Sequence, residues 1–293
     1  MKKFINYFYA FVELILAFSL SQKIIWRLVN YKAIKEYQDT KKELSNDQLK
    51  ILEDIKKDGF AVTNLDFFNL KSLEEIKLFH KTLDPVDSDI KSFLTYYLGG
   101  DYKNEIQHFE RSNPLLEFSL NEKLVSIINS YFLMLSRLCY LEINETILSS
   151  SNAPLKSQNF HRDPGIDKCI KVFIYLNDVE TNSGPFTYVK ESHLKGQNLF
   201  KAKRYGAGGI YPEKNSFKTV IDKNLITPIC GKAGTVIIAD TTGFHSGGNS
   251  IDKIRKMASI VYYPPGDLKK SKINCNIPNI RSSFPASSYL FPN

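Results

Sequence analysis

Near the middle of the chain stands the run Gln158-Asn159-Phe160-His161-Arg162-Asp163. In an extended backbone side chains alternate, so His161 and Asp163, two positions apart, share a face and can converge on one point. A neutral imidazole and a carboxylate so placed are two members of the two-histidine, one-carboxylate triad that binds non-haem iron and leaves coordination positions open. Alone the pair is a weak signal, because a histidine and an aspartate two apart also occur in plain turns. The third ligand must come from a strand distant in sequence, and His245 is the candidate. It follows the β-rich run Thr235 to Ala239 and lies in Gly243-Phe244-His245-Ser246-Gly247-Gly248, where small residues let the backbone approach a ligand. Ten residues later Arg255 opens the next apolar run. A hairpin would place Arg255 across from the His245 strand, where a guanidinium can grip a carboxylate through two hydrogen bonds.

The elements that must position these residues are legible in outline. Three capping boxes, each a Ser with Glu or Gln three residues later, mark helix starts: Ser45 with Gln48, Ser72 with Glu75, and Ser119 with Glu122. The first helix is expected to run through Leu49, Leu52 and Ile55 and to stop near Gly59, before a strand at Phe60-Ala61-Val62. From about Leu138 the pattern changes to short β-rich runs between Gly, Pro, Asn and Asp. They are Tyr140 to Leu148, Ile170 to Leu176, Phe186 to Val189, Gly234 to Ala239 and Met257 to Tyr263. With no helix between most of them, an antiparallel sandwich or barrel is expected rather than a parallel sheet. Residues 194–230 hold Gly206, Gly208 and Gly209 and fit no strand pattern, so they read as an insertion or lid.

Charge decides which partners are excluded. Of the net +8, residues 1–42 supply eight basic against three acidic side chains and residues 265–293 four against one, while 43–264 hold 27 of each. A neutral middle carries no basic groove, which sets nucleic acid aside. The four cysteines form no C-x-x-C pair and read as buried thiols of a reducing, cytoplasmic protein. Phe4 to Leu20 is apolar and aromatic but interrupted by Asn6 and Glu13. Glu13 makes a membrane crossing or a signal peptide costly. Packing on the domain or on a partner, lying in a membrane surface with Lys23, Arg27, Lys32 and Lys35 following, and a true crossing all stay open for residues 1–35, the first two ahead of the third.

The motifs together resemble the phytanoyl-CoA dioxygenase family in order and spacing. They are His161-Arg162-Asp163, then Lys171 to Val179, Gly184-Pro185-Phe186, Glu191-Ser192-His193, Ala239-Asp240-Thr241, and His245 with Arg255. The likeness covers roughly 135–265, and the helix and strand at 45–65 match the family's usual amino-terminal part. It implies a mainly β protein with α additions: a double-stranded β-helix, or jelly-roll (cupin-like), core at 43–265, flanked by amino-terminal helices, a basic segment at 1–42 and a tail at 266–293. It implies Fe(II) held by His161, Asp163 and His245, with 2-oxoglutarate as co-substrate, its far carboxylate on Arg255, and O2. The chemistry implied is hydroxylation of an unactivated C–H bond in a small-molecule or acyl, lipid-like substrate. Asp163 favours hydroxylation over halogenation, since related halogenases lack that carboxylate.

Lys171 stands where relatives often place a second polar contact to the co-substrate. A lysine departs from the commoner hydroxyl, and the other reading is an inward-facing amine in a polar mouth. Alternation puts Lys171, Phe173 and Tyr175 on one face. His193 is expected to satisfy loop backbone, His80 and His108 to be incidental, and Asp240 and Thr241 to shape the turn before His245. Gln158 and Asn159 are candidates for substrate contact or for stabilising a turn. A different class of reading keeps the same three ligands for zinc hydrolysis, or for ligand binding without turnover. A hydrolytic site does not require Arg255.

Overall fold

The computed structural model describes residues 20–69, 73–86, 93–98, 100–101, 106–148, 156–163, 168–194, 196–197, 222–267, 271 and 273–277. Six helices and twelve strands occur among them. The helices are α1 (Leu20–Val29), α2 (Tyr31–Thr40), α3 (Asn46–Asp58), α4 (Leu73–His80), α5 (Pro114–Ser119) and α6 (Glu122–Phe132). The first strands are β1 (Phe60–Asn64), β2 (Phe93–Tyr97), β3 (Gly100–Asp101), β4 (Ile106–Phe109), β5 (Arg137–Thr146) and β6 (Ile170–Tyr175). The rest are β7 (Phe186–Val189), β8 (Ile226–Ile229), β9 (Thr235–Asp240), β10 (His245–Ser246), β11 (Lys256–Tyr263) and β12 (Ile273–Cys275).

Local chemistry accounts for the boundaries of α3. Ser45 and Gln48 form a reciprocal capping box, and Gly59 takes the left-handed conformation (φ +91°) that ends the helix. The Ser72 box lies outside the described residues, although α4 begins directly after it. The third expectation is corrected. Asn121, not Ser119, caps α6, accepting from the amides of Lys123 and Leu124. Ser119 instead ends α5, where its hydroxyl donates to the Leu116 carbonyl. Two strong cap residues two positions apart compete, and the one after the end of α5 wins.

The large sheet has the order β1-β9-β6-β11-β5-β2, and its pairings are antiparallel. A smaller sheet, β10-β7-β8, faces it, and an isolated antiparallel bridge joins His161 to His245 at its edge. Successive segments alternate between the layers: β5 lies in the large sheet, His161 in the small, β6 in the large, β7 and β8 in the small, β9 in the large, β10 in the small and β11 in the large. A third set, β12-β4-β3, was not foreseen.

Alternation along β6 separates two cores. Val172 and Ile174 pack outward with Ile51, Leu52, Ile55, Leu124 and Ile128 of the helices covering the large sheet. Phe173 and Tyr175 point between the sheets, with Phe186, Tyr188, Ile237 and Met257. The site therefore lies at one end of an apolar layer, where water is scarce and charges interact strongly. Cys139, Cys169 and Cys275 are buried free thiols, but Cys230, following β8, is exposed, which corrects the expectation for that residue.

Candidate metal centre

His161 and His245 are direct neighbours across the small sheet. Each donates its backbone N–H to the other's carbonyl, at 2.8 and 2.9 Å, and two residues on the Asp163 amide donates to the Thr241 carbonyl at 2.8 Å. This short ladder fixes the alternation read from sequence. His161 and Asp163 turn inward, and Arg162 between them turns the other way, its guanidinium 4.0 Å from the centre of the Phe244 ring. One ligand atom from each of His161, Asp163 and His245 lies within 4.8 Å of the others. The imidazole centroids are 4.3 Å apart, and His245 Nε2 is 3.5 Å from Asp163 Oδ2.

Both rings are held in the same way. Nδ1 of His161 lies 2.9 Å from the Asn159 carbonyl, and Nδ1 of His245 lies 2.9 Å from the Gly243 carbonyl. A carbonyl only accepts, so each Nδ1 carries the proton and each Nε2 is left with its lone pair. That tautomer is the one required of a metal ligand oriented by its other nitrogen. Burial pushes His245 down to about 3, helped by the charge of His161, and burial likewise lowers His161. At neutral pH both rings are therefore uncharged and able to donate.

Asp163 has a partner that the sequence did not disclose. Lys171 Nζ stands 2.7 Å from Asp163 Oδ2, both side chains being largely buried. Burial alone would raise the Asp163 pKa, but Lys171, His245 and His161 outweigh it and hold the carboxyl well below the usual range. Lys171 is correspondingly held above its ordinary value: burial opposes the charge, and Asp163 more than offsets it. Lys171 thus faces the cluster, as alternation required, with its ammonium on a candidate ligand.

Arg255 is 1% exposed. Its Nη1 donates to the carbonyls of Gly184 and Gly247, the latter two residues past His245, which holds the guanidinium against the backbone that follows β10. Its Nε has no hydrogen-bond partner, and no carboxylate of the described residues pairs with it. Burial pushes the guanidinium down to about 10, partly countered by Tyr175. Its backbone is locked by Thr146: the Arg255 amide donates to Thr146 Oγ1 at 2.7 Å and the Thr146 amide to the Arg255 carbonyl at 2.9 Å. The Ser250 hydroxyl bridges Thr146 Oγ1 and the Ser183 carbonyl.

Asp240 does shape the turn before His245, accepting from the Thr242 amide and hydroxyl at 3.0 and 2.7 Å and from the Tyr131 hydroxyl at 2.6 Å. The Thr241 carbonyl holds Asp163. His193 Nε2 lies 3.2 Å from the Lys56 carbonyl near the end of α3, a structural tie. His80 is buried against Glu145 at 3.3 Å, away from the cluster, and His108 lies on β4. Asn159 acts through its carbonyl on His161, and Gln158 is buried. Sequence reasoning missed Tyr188, whose hydroxyl donates to the Asp240 carbonyl at 2.6 Å and which pairs in register with His245. The small residues Gly59 and Gly243 are the signal that could have found it, since a Cβ at either would overlap the Tyr188 ring.

This fold is shared with solved non-haem 2-oxoglutarate-dependent enzymes. HygX from Streptomyces hygroscopicus, crystallised with nickel, 2-oxoglutarate and hygromycin B, is 17% identical, with a TM-score of 0.50 over 75% of this chain and 88% of that one. SnoN, a non-haem α-ketoglutarate-dependent epimerase from nogalamycin biosynthesis, is 15% identical, with a TM-score of 0.53 over 77% of this chain and 86% of that one. SnoN in complex with Fe3+, α-ketoglutarate and nogalamycin RO gives a TM-score of 0.52 at 15% identity, over 77% and 87% of the two chains. No family model matches the chain, and no curated protein matches it in sequence.

Proposed function

We propose that this protein is an Fe(II)- and 2-oxoglutarate-dependent oxygenase of the phytanoyl-CoA dioxygenase type, hydroxylating a C–H bond of a small molecule. The alternation of strands between two facing sheets supports reading residues 43–265 as a double-stranded β-helix domain. Residues 1–42 and 266–293 are then additions and the cytoplasm the compartment; of the expected insertion at 194–230, Ile226–Ile229 form β8 of the small sheet and so belong to the core. The observation that carries the function is the pairing of a two-histidine, one-carboxylate cluster with a buried guanidinium that no acid of the described residues neutralises. A buried cation without a counter-charge is costly, and a carboxylate arriving from outside relieves that cost.

His161, His245 and Asp163 would hold the iron, a donor set of nitrogen and oxygen suited to Fe(II). With 2-oxoglutarate and O2 such an iron would supply the oxidising chemistry, yielding succinate and CO2 and inserting oxygen into the substrate. The residues of the chain do the rest. Asn159 and Gly243 keep both imidazoles in the donating tautomer, and Lys171 holds one oxygen of Asp163. Arg255 would take the far carboxylate of the co-substrate, and Phe173, Phe186 and Met257 would keep water from the space between the sheets.

Anaerobic addition of Fe(II) and 2-oxoglutarate tests the reading. The expected result is a weak visible charge-transfer band, with a co-substrate affinity reduced more than about tenfold in Arg255→Ala, the loss of a charged, bidentate contact. Absence of the band, or an unchanged titration in the variant, would overturn the proposal. Zinc-dependent hydrolysis without 2-oxoglutarate would do so as well.

A further inference from the structure

Among the described residues, the densest run of exposed hydrophobic side chains lies in α1 and at the start of α2. Within eight residues Ile24, Ile25, Leu28, Val29 and Tyr31 are 55, 47, 68, 57 and 63% exposed. At about 100° per residue, positions 24, 25, 28 and 29 cover one continuous face of α1. The opposite face is tied to the body of the protein. Trp26 packs against the main core, and Asn30, 1% exposed, receives the Gly266 amide at 2.7 Å. Just beyond, the Leu135 amide donates to the carbonyl of buried Ala33. The helix pair is therefore anchored with its apolar side outward, not merely unpacked.

Charge identifies what covers that side. Arg27 of α1 and Lys32 and Lys35 of α2 are exposed; α2 also carries exposed Asp39 and half-buried Glu36, so residues 20–40 hold four basic side chains against two acidic ones. Residues 1–42 hold eight basic and three acidic side chains, whereas 43–264 hold 27 of each. The sequence leading into α1, Phe4 to Leu20, adds further aromatic and aliphatic side chains behind Lys2 and Lys3. A second copy of the chain would bring like charges together around the apolar patch. An anionic bilayer satisfies both features, taking the apolar face into its interface and the basic side chains onto its headgroups. Among the described residues no helix is long and apolar enough to cross a membrane.

We propose that α1 and α2 form a docking surface for an anionic membrane, with Ile24, Ile25, Leu28, Val29 and Tyr31 entering the interface and Arg27, Lys32 and Lys35 contacting acidic headgroups. The surface holds the body of the protein against the bilayer without spanning it. It does not depend on the metal reading.

Co-sedimentation of the full chain with phosphatidylcholine vesicles, with and without phosphatidylserine, tests this. The expected result is partitioning about tenfold or more stronger on the acidic vesicles and weakened by salt above about 0.1 M. Ile25→Asp/Leu28→Asp should abolish binding, and Lys32→Glu/Lys35→Glu should remove the preference for acidic lipid. Circular dichroism and thermal melting would show that both variants remain folded, as exposed sites allow. No binding to either vesicle, or equal binding to both that the variants leave unchanged, would overturn the proposal. So would concentration-dependent dimerisation that Ile25→Asp/Leu28→Asp abolishes, because the occupant would then be a second copy.

Discussion

His161 and His245 exchange both backbone hydrogen bonds, at 2.8 and 2.9 Å, although 84 positions separate them in sequence. The cluster is thus set by main-chain pairing, and each ring is then fixed by a carbonyl two residues upstream. Replacing either imidazole removes a candidate ligand without breaking that pairing. His161→Ala and His245→Ala should keep the wild-type circular dichroism and lose more than about 100-fold in Co(II) affinity, beyond the effect of removing an outer-sphere partner. Retained affinity in either variant would show that its imidazole is not a ligand.

Lys171 supplies a positive charge where the metal would sit nearby, 2.7 Å from Asp163 Oδ2. Lys171→Met leaves a buried carboxylate uncompensated, a change that typically costs about 3–5 kcal/mol. The metal-free variant should melt well below wild type. Metal binding restores a cation beside Asp163, so the rise in Tm on adding Co(II) should be larger in the variant than in wild type. Equal rises would mean that Lys171 and the metal do not share Asp163.

The acid response of the metal-free protein follows from the two neutral rings. His245 is pushed from 6.5 to about 3 by burial first and by His161 second, and His161 is lowered as well. Unfolded histidines bind protons below about 6.5 while the folded ones resist, so the unfolded state gains protons first as pH falls. The contribution is complete above pH ~6.5 and is lost progressively toward about 3. Urea denaturation at a series of pH values should show this decline, and His245→Asn should flatten it. A wild-type profile level from pH 7 to 4 would contradict the burial of neutral rings.

What was legible in the sequence was what short-range chemistry decides. The i, i+2 placement of His161 and Asp163 follows from the period of an extended chain, and the Ser45 box and Gly59 stop are satisfied by atoms within the same few residues. Phe186 to Val189 appeared as a strand of the same bounds, and the other four β runs fell within three residues of their observed ends. Of the features set by distant neighbours, the convergence of His245 on His161 and Asp163 was expected from the motifs, but others were not legible. The pairing of β1 with β9, which ties the amino-terminal part to the large sheet, leaves no mark on Phe60 to Asn64 alone. Lys171 could be placed on the right face, but its partner Asp163 comes from a segment outside the sheet. Asn121 outcompeted Ser119 because α5, which no pattern announced, had already used that serine.

Tyr188 gives the last test, because its ring occupies space that two glycines leave open. A Cβ on Gly243 would lie 1.9 Å from the Tyr188 hydroxyl and 3.0 Å from the His193 amide, and one on Gly59 would lie 2.5 Å from the same hydroxyl. Tyr188 cannot retreat easily, since its hydroxyl holds the Asp240 carbonyl and its backbone pairs with His245. Gly243→Ala should therefore cost about 1–3 kcal/mol from overpacking. It should also weaken Co(II) binding about tenfold or more by displacing an outer support of a ligand. Removing the obstructing oxygen with Tyr188→Phe relieves the worst overlap while losing the bond to Asp240. The double variant should thus be more stable than the sum of the two single losses, as expected for side chains in contact. Strict additivity would show that the alanine is accommodated by backbone movement around 243 and that the Tyr188 ring does not set the position of His245.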